Sequence, residues 1–256
     1  MSEKIRLDLL VAQKYLNFSR NKIQNMIVQG QVFCNGKVLD KPGCKVDVES
    51  QIDLDLSAQK YVSRAGFKLE KALIEFQIKP QGLVCLDCGI STGGFTDCLL
   101  QQGAFRVYGV DVGHGQTSFK LLDDSRLILI EKTNLKDLES LPEKVDLITL
   151  DLSFISLLKV FPSLFKFLKT GGKIIALIKP QFEVGKDKIG KSGIVTDSKL
   201  HQKVLKDIEL GLKEIGFDVL KVIESPILGS DGNKEFLALI VCTLSSLRMC
   251  GSRPKI

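Results

Sequence analysis

The sequence predicts an α/β protein whose main domain is a mainly parallel sheet of seven strands, preceded by a small α+β domain. Short and almost continuously apolar segments alternate with helical patterns from residue 83 onward, as parallel strands covered on both faces require. A glycine-rich turn follows the first of these segments. The first 60 residues have a different pattern, of two helices and short alternating strands. A length of 256 residues is consistent with one large and one small domain.

Composition argues against several classes of protein. The longest apolar runs, such as Phe236–Cys242, are far shorter than the roughly 20 residues that cross a membrane. No N-terminal segment has the pattern of a secretory signal, which predicts a cytoplasmic protein with no membrane partner. Among the seven cysteines, Cys85 and Cys88 form one Cys-x-x-Cys pair, but no second Cys pair or His partner completes a site. We therefore expect buried, reduced thiols and no metal site. The net charge of +6 permits a nucleic-acid partner but does not require one.

Residues 1–60 are expected to form the small domain. Apolar residues at helical spacing predict one helix over Arg6–Ala12 and a second over Ser19–Val28. Gln31–Leu39 predicts a hairpin, because two apolar runs flank an Asn-Gly pair, the strongest short hairpin signal. Residues 41–56 add a turn and further alternating strand.

This order of two helices and a Val-x-x-Asn-Gly hairpin resembles the S4-like RNA-binding domain of ribosomal proteins and pseudouridine synthases. The resemblance implies that the second helix and the hairpin lie against structured RNA. Basic side chains would then contact phosphates, which positions RNA without reading its bases. Those expected to do so are Lys4, Arg6, Lys14, Arg20, Lys22, Lys37, Lys41 and Arg64. The alternative for these residues is an ordinary solvated face.

Residues 61–81 predict a linker that runs into an amphipathic helix. Phe67, Ala72, Leu73 and Phe76 lie at the spacing of a buried stripe. Lys68 follows Phe67 and is expected at the rim of that stripe.

The glycine-rich turn lies within Asp87-Cys-Gly-Ile-Ser-Thr-Gly-Gly-Phe95, between an apolar strand and a short helix. Strand, glycine turn and helix N-terminus together let backbone approach a nucleotide-like ligand. The next strand ends at Asp111, 24 residues after Asp87, about where such folds bind ribose hydroxyls. The pattern resembles the S-adenosylmethionine (SAM) loop of Rossmann-like methyltransferases, whereas a plain tight turn is the alternative. The cofactor-binding residues expected are Asp87, Gly89, Ser91, Gly93, Gly94, Phe95, Asp111, Val112, Asn134 and Asp151.

Alternating elements continue to about residue 244, which predicts a main domain over 82–244 and a disordered tail over 245–256. The expected elements are strands at Leu127–Ile130, Val145–Asp151 and Lys173–Lys179, helices at 157–168 and 199–216, and strands at Phe217–Ile223 and Glu235–Cys242. Ligands of open α/β sheets bind beyond the carboxyl ends of the strands. Asp151 and Lys179 end strands there, and Glu235 reaches the same edge only if the last strand is antiparallel.

With these motifs in place, almost the whole chain resembles the haemolysin A/TlyA family, which joins an S4-like domain to an FtsJ-like RNA 2′-O-methyltransferase. The resemblance rests on the glycine loop and on Asp151-Leu-Ser-Phe-Ile-Ser156, Lys179-Pro-Gln-Phe-Glu183 and Gly232-Asn-Lys-Glu-Phe236. It implies a catalytic tetrad of Lys68, Asp151, Lys179 and Glu235. SAM would be the cofactor, and the substrate would be cytidine ribose in 16S or 23S rRNA, free or within ribosomal subunits.

Within the mechanism that the resemblance implies, Lys179 would take the proton of the ribose 2′-hydroxyl and stabilise the developing alkoxide. Asp151 would orient Lys179, and Lys68 and Glu235 would hold the ribose. Base amino methylation is disfavoured because an Asn/Asp-Pro-Pro-aromatic run is missing after the fourth strand. Two alternatives from other classes stay open. One is an NAD-dependent oxidoreductase, and the other is an RNA-binding or membrane-active protein with an inactive methyltransferase domain.

Overall fold

The computed structural model describes residues 3–28, 30–55, 60–185, 193–229 and 232–243. The chain divides into two compact units, Met1–Arg64 and Ala65–Ile256. The helix predicted after the linker therefore belongs to the second unit. The tail predicted over 245–256 lies outside the described residues.

The first unit is an α+β domain, as predicted. Its elements are β1 (Lys4–Arg6), α1 (Leu7–Lys14), α2 (Arg20–Val28), β2 (Val32–Cys34), β3 (Lys37–Val38), β4 (Lys45–Asp47) and β5 (Ile52–Leu54). The antiparallel pair β1–β4 and the three-stranded sheet β3-β2-β5 form around the two helices. The predicted hairpin is present as β2–β3, and its turn residues Asn35 and Gly36 have φ of +49° and +75°.

A single apolar core holds the first unit together. It consists of Leu7, Leu10, Val11, Ile23, Met26, Ile27, Val32, Cys34 and Ile52. Both helices and the strands β2 and β5 contribute to it, so the helical spacing of apolar residues in this unit does reflect a buried face.

The second unit is built on one sheet of seven strands in the order β11-β12-β10-β9-β6-β7-β8. In chain order the strands are β6 (Val84–Cys88), β7 (Arg106–Val110), β8 (Leu127–Ile130), β9 (Val145–Leu150), β10 (Leu168–Ile178), β11 (Phe217–Glu224) and β12 (Phe236–Cys242). The β8, β7, β6, β9 and β10 strands are parallel, and β12 is antiparallel to both β10 and β11. The predicted fold class and the antiparallel last strand are confirmed.

Five α-helices accompany this sheet within the described residues. They are α3 (Ala65–Glu75), α4 (Gly94–Gln101), α5 (Phe119–Leu122), α6 (Pro180–Glu183) and α7 (Ser198–Glu214). The sheet's buried side chains pack against α7 through Val204, Ile208 and Leu212. Because the central strands are almost completely buried, polar groups concentrate where the strands end.

The α-helix predicted over residues 157–168 is wrong. Leu157–Lys159 and Phe161–Lys166 form two short 3₁₀ helices instead, and β10 already begins at Leu168. Pro162 lies at the start of the second 3₁₀ helix, and its missing N–H favours a tight turn over a continuous α-helix. The early start of β10 includes a register shift against β9 between Leu168 and Lys173, which the sequence pattern did not reveal.

Candidate active site

The glycine loop follows β6 and has a backbone that few residues other than glycine adopt. Gly89 and Gly93 have φ of +83° and +97°, and Ser91 between them has φ of +46°. A Cβ at Gly89 would lie 2.7 Å from the backbone oxygen of Asp151, and one at Gly93 would overlap the Leu121 side chain. The loop therefore packs closely against two neighbouring segments, and both glycines are required by space and by φ.

Asp87 lies beneath this loop and is fully buried. Its carboxylate accepts hydrogen bonds from Thr96 Oγ1 at 2.7 Å and from Thr149 Oγ1 at 2.8 Å. Burial raises the pKa of Asp87 to about 6, against the lowering effect of the two threonine hydroxyls. Asp87, predicted as a cofactor contact, ties together β6, α4 and β9 beneath the loop.

Asp111 links the glycine loop to the segment that follows β7. Its Oδ2 accepts from the backbone N–H of Ser91 and its Oδ1 from that of Gly113, each at 2.8 Å. Each carboxylate oxygen has two lone pairs, so both can still accept from a ligand hydroxyl. The acid predicted to bind ribose hydroxyls is thus held in a fixed orientation.

A cavity of about 450 Å³ opens beside these groups at the carboxyl ends of the parallel strands. Its lining comprises Gly89, Ser91, Val110, Asp111, Val112, Gln116, Thr133, Asn134, Leu135, Asp151, Leu152, Ser153, Phe154, Ile155 and Val160. It brings together six of the ten predicted cofactor residues: Gly89, Ser91, Asp111, Val112, Asn134 and Asp151. The other four, Asp87, Gly93, Gly94 and Phe95, are buried and do not line the cavity.

The four predicted catalytic residues form two ion pairs in the second unit. Lys179 Nζ lies 2.7 Å from Asp151 Oδ1, and both side chains are largely buried. Lys68 Nζ lies 2.6 Å from Glu235 Oε2, with side-chain exposures of 10% and 3%. Asp151 and Lys179 follow β9 and β10, whereas Glu235 precedes the antiparallel β12 and Lys68 belongs to α3.

The amine of Lys179 has further neighbours that sequence reasoning missed. It donates to Ser153 Oγ at 3.0 Å and lies 5.9 Å from the centre of the Phe182 ring. Phe154 packs on Phe182 with ring centroids 5.0 Å apart, yet 89% of Phe154 is exposed. An exposed ring at the rim of a cavity offers a surface on which a planar group such as a nucleobase stacks. The sequence marked this position only by an aromatic residue three positions after Asp151, the end of the predicted strand.

The basic residues predicted to contact RNA do not form a uniform charged face, because two of them, Arg6 and Arg20, are paired with a buried acid. Arg6 donates two hydrogen bonds to Asp8, at 2.9 and 3.0 Å, and Arg20 donates one at 3.2 Å. Asp8 is completely buried, and its bond with Arg6 above all holds its pKa well below the usual range. Both arginine side chains remain about half exposed, at 47% and 55%, so they still present N–H groups to solvent.

The other predicted RNA contacts divide into two groups. Lys14 donates to the backbone oxygen of Ser50 at 2.6 Å, and Arg64 donates to Asp40 at 3.2 Å. The remaining four are exposed: Lys4, Lys22, Lys37 and Lys41.

Within the described ranges, no three His, Cys, Asp or Glu side chains lie together as a metal site requires. Across the same ranges, no helix has the length and apolar character needed to cross a membrane.

Comparison with known proteins identifies the family. Residues 61–241 match the model of the FtsJ-like methyltransferases. The chain belongs to this family. Residues 5–52 match the model of the S4 domain. Both predicted resemblances, to the S4 domain and to the FtsJ-like methyltransferases, are therefore confirmed.

Individual FtsJ-like relatives cover nearly the whole chain. Hemolysin A of Brachyspira hyodysenteriae is 42% identical, with 91% of this chain and 98% of that protein aligned. The 16S/23S rRNA (cytidine-2′-O)-methyltransferase TlyA of Mycobacterium tuberculosis is 37% identical, with 92% and 89% aligned. A solved hemolysin-type structure from Streptococcus thermophilus has 40% identity and a TM-score of 0.74, covering 95% of this chain and 90% of that one. The chain is thus similar to the haemolysin A/TlyA branch of the FtsJ-like methyltransferases.

Proposed function

We propose that this FtsJ-like protein is a SAM-dependent methyltransferase that modifies the 2′-hydroxyl of a cytidine ribose in ribosomal RNA. The observation that carries the proposal is the ion pair of Lys179 and Asp151, because Asp151 also lines the cavity beside the glycine loop. The similarity to TlyA supports cytidine in 16S or 23S rRNA as the target. The S4 match supports RNA, free or within ribosomal subunits, as the partner. The rRNA named as the target of TlyA supports the cytoplasm as the place of action.

The residues around the cavity fit SAM. A volume of about 450 Å³ is within the range of roughly 300–1,000 Å³ common to small-molecule sites. Gly89 and Ser91 bring backbone to the wall of the cavity, as a close-packed ligand requires. Asp111 would accept from the ribose hydroxyls of SAM, and Asn134 would lie by the adenine. When bound, SAM supplies an electrophilic methyl group.

Lys179 has the central role in the proposed chemistry. A ribose 2′-hydroxyl is a weak nucleophile, so it gains reactivity when a base removes its proton as the new bond forms. The Lys179 amine would bind the 2′-oxygen and receive that proton. Asp151 accepts from this amine at 2.7 Å, which fixes its position and compensates the positive charge that the amine gains with the proton.

Lys68 and Glu235 would complete the site as a second polar pair. Their hydrogen bond of 2.6 Å is more deeply buried than that of Lys179 and Asp151. We assign them to holding the target ribose, since a paired amine and carboxylate offer both a donor and an acceptor to its hydroxyls.

The first unit would capture RNA through its phosphates. Arg6 and Arg20 present a joint cationic group around Asp8, and four exposed lysines add charge. Contacts of this kind are sequence-independent and depend on salt.

Methyl transfer from labelled SAM to separated 30S and 50S subunits tests the proposal. We expect label in RNA with the unaltered protein and none with Lys179→Ala, which should bind SAM within a few-fold of the original affinity. Lys179→Arg should also be inactive, because guanidinium retains its proton. Calorimetric titration with SAM and with NAD separates this function from an oxidoreductase. Binding of NAD in place of SAM, or transfer that persists without Lys179, would contradict the proposal.

A further inference from the structure

The Lys179 amine has two oxygen acceptors, and only one of them belongs to the proposed tetrad. Asp151 Oδ1 lies at 2.7 Å and Ser153 Oγ at 3.0 Å. Asp151 and Ser153 both line the cavity, whereas the Lys179 side chain is largely buried behind it. Ser153 is therefore a second polar group that both binds the Lys179 amine and lines the cavity.

The backbone around Ser153 is held in an uncommon conformation. The next residue, Phe154, has φ of +65°, although a bulky side chain disfavours the left-handed region. Such conformations are energetically costly and persist only where surrounding contacts impose them. Here the Phe154 ring packs on Phe182, three residues after Lys179. The conformation thus keeps the loop of Ser153 against the segment that carries Lys179.

A second contact fixes the far end of the same loop. The backbone N–H of Leu157 donates to Glu183 Oε1 at 2.9 Å. At the near end, the backbone of Asp151 lies so close to Gly89 that a Cβ there would be 2.7 Å from the Asp151 oxygen. Ser153 is therefore carried on a short loop that is anchored on both sides.

We propose that Ser153 is a positioning residue that aims the Lys179 amine at the ribose hydroxyl. This inference rests on the proposed function of Lys179. To accept a proton, the amine must be neutral, with two N–H bonds and one lone pair. Its bond to Cε and its hydrogen bonds to Asp151 and Ser153 then occupy three tetrahedral directions. The lone pair occupies the fourth direction, so the two acceptors together fix the direction from which the amine accepts the proton.

One acceptor alone would not define that direction. With Asp151 as the only acceptor, the amine could still turn about its hydrogen bond to that carboxylate, so its lone pair would have no fixed direction. Small misalignments of a reacting group cost up to about 100-fold in rate. Loss of Ser153 should therefore affect the chemical step more than the binding of either ligand.

Steady-state kinetics and SAM titrations of full-length variants test this role. Ser153→Ala should lower kcat by about 10- to 100-fold, with RNA KM and SAM Kd within about two-fold of the original. Ser153→Thr keeps a hydroxyl and should restore kcat to within about three-fold. The pH at which the rate is half-maximal should move in Ser153→Ala and not in Ser153→Thr. Ser163→Ala is the matched control, because the Ser163 hydroxyl donates to the backbone oxygen of Val160 and does not contact Lys179 or Glu183.

A spectroscopic measurement tests the contact without relying on activity. In protein labelled with ¹⁵N at lysine Nζ, the signal lost in Lys179→Ala identifies the Lys179 amine. Ser153→Ala should make the hydrogens of this amine exchange faster with water, whereas Ser163→Ala should not. An unchanged exchange rate together with unchanged kcat in Ser153→Ala would overturn the inference. If the exchange rate changes but the unaltered protein transfers no methyl group, the contact between Ser153 and Lys179 is confirmed and the proposed function fails. The positioning role of Ser153 then fails together with the proposed function.

Discussion

The amine of Lys68 and the carboxylate of Glu235 lie 2.6 Å apart, although 167 residues separate them in the chain. The pair joins α3 to the start of β12, and the antiparallel direction of β12 is what brings Glu235 to the edge where Asp151 and Lys179 also lie. A buried pair of this kind has two separable consequences, one for stability and one for catalysis.

Breaking the Lys68–Glu235 pair on one side should cost more stability than replacing both partners. Glu235→Ala leaves a buried ammonium without its partner, which typically destabilises by roughly 3–5 kcal/mol. The double variant Lys68→Met, Glu235→Leu removes both charges and should recover much of that loss, while staying inactive. Urea unfolding and methyl transfer measured on the same variants check this. A double variant as unstable as Glu235→Ala would show that the pair is not the source of the effect.

The glycine loop should tolerate no side chain at Gly93. Gly93→Ala places a Cβ on the Leu121 side chain in a backbone with φ of +97°, so SAM binding should be lost. Gly82→Ala is a matched control, since Gly82 has φ of +75° but has no atom within 4 Å of the added Cβ. Calorimetric titration of both variants separates crowding of the loop from backbone strain. Normal SAM affinity in Gly93→Ala would exclude the loop from the cofactor site.

Asp87 should make the second unit less stable as pH rises through 6. Burial raises its folded pKa from 3.8 to about 6, so its contribution to folding is fully present below about pH 4 and is lost by pH 6 to 7. Asp87→Asn keeps partners for both threonines and should remove this dependence. At pH 7 it should raise the free energy of unfolding by up to about 3 kcal/mol. If the free energy of unfolding depends on pH in the same way in the unaltered protein and in Asp87→Asn, the pH dependence does not come from Asp87.

The sequence alone predicted those site residues that belong to a local pattern and missed those that do not. Asp111 and the glycine loop follow strands and could be placed from spacing alone. Lys68 has no local signal, and only the resemblance to a family indicated it. Ser153 was missed because an exposed hydroxyl in a loop has no pattern of its own. The pairing of Arg6 and Arg20 on Asp8 was missed because charge counts do not reveal which charges meet in space.

Arg20 should contribute one phosphate contact to RNA binding. Arg20→Ala is expected to lower the slope of log affinity against log salt by about one unit. Lys203→Ala is a suitable control, because Lys203 is paired with Asp207 at 2.8 Å in the second unit and has no proposed role in binding RNA. Fluorescence titrations with ribosomal RNA at several salt concentrations give both slopes. Equal slopes for Arg20→Ala and the unaltered protein would remove Arg20 from the RNA-binding surface.

The central claim concerns the atom that receives the methyl group. It is tested most directly by digesting the methylated ribosomal RNA to nucleosides and identifying the product by mass spectrometry. The account predicts 2′-O-methylcytidine, formed by the unaltered protein and absent with Lys179→Ala. A methyl group on a base would contradict the account, because a lysine held by Asp151 and Ser153 was assigned to a ribose hydroxyl.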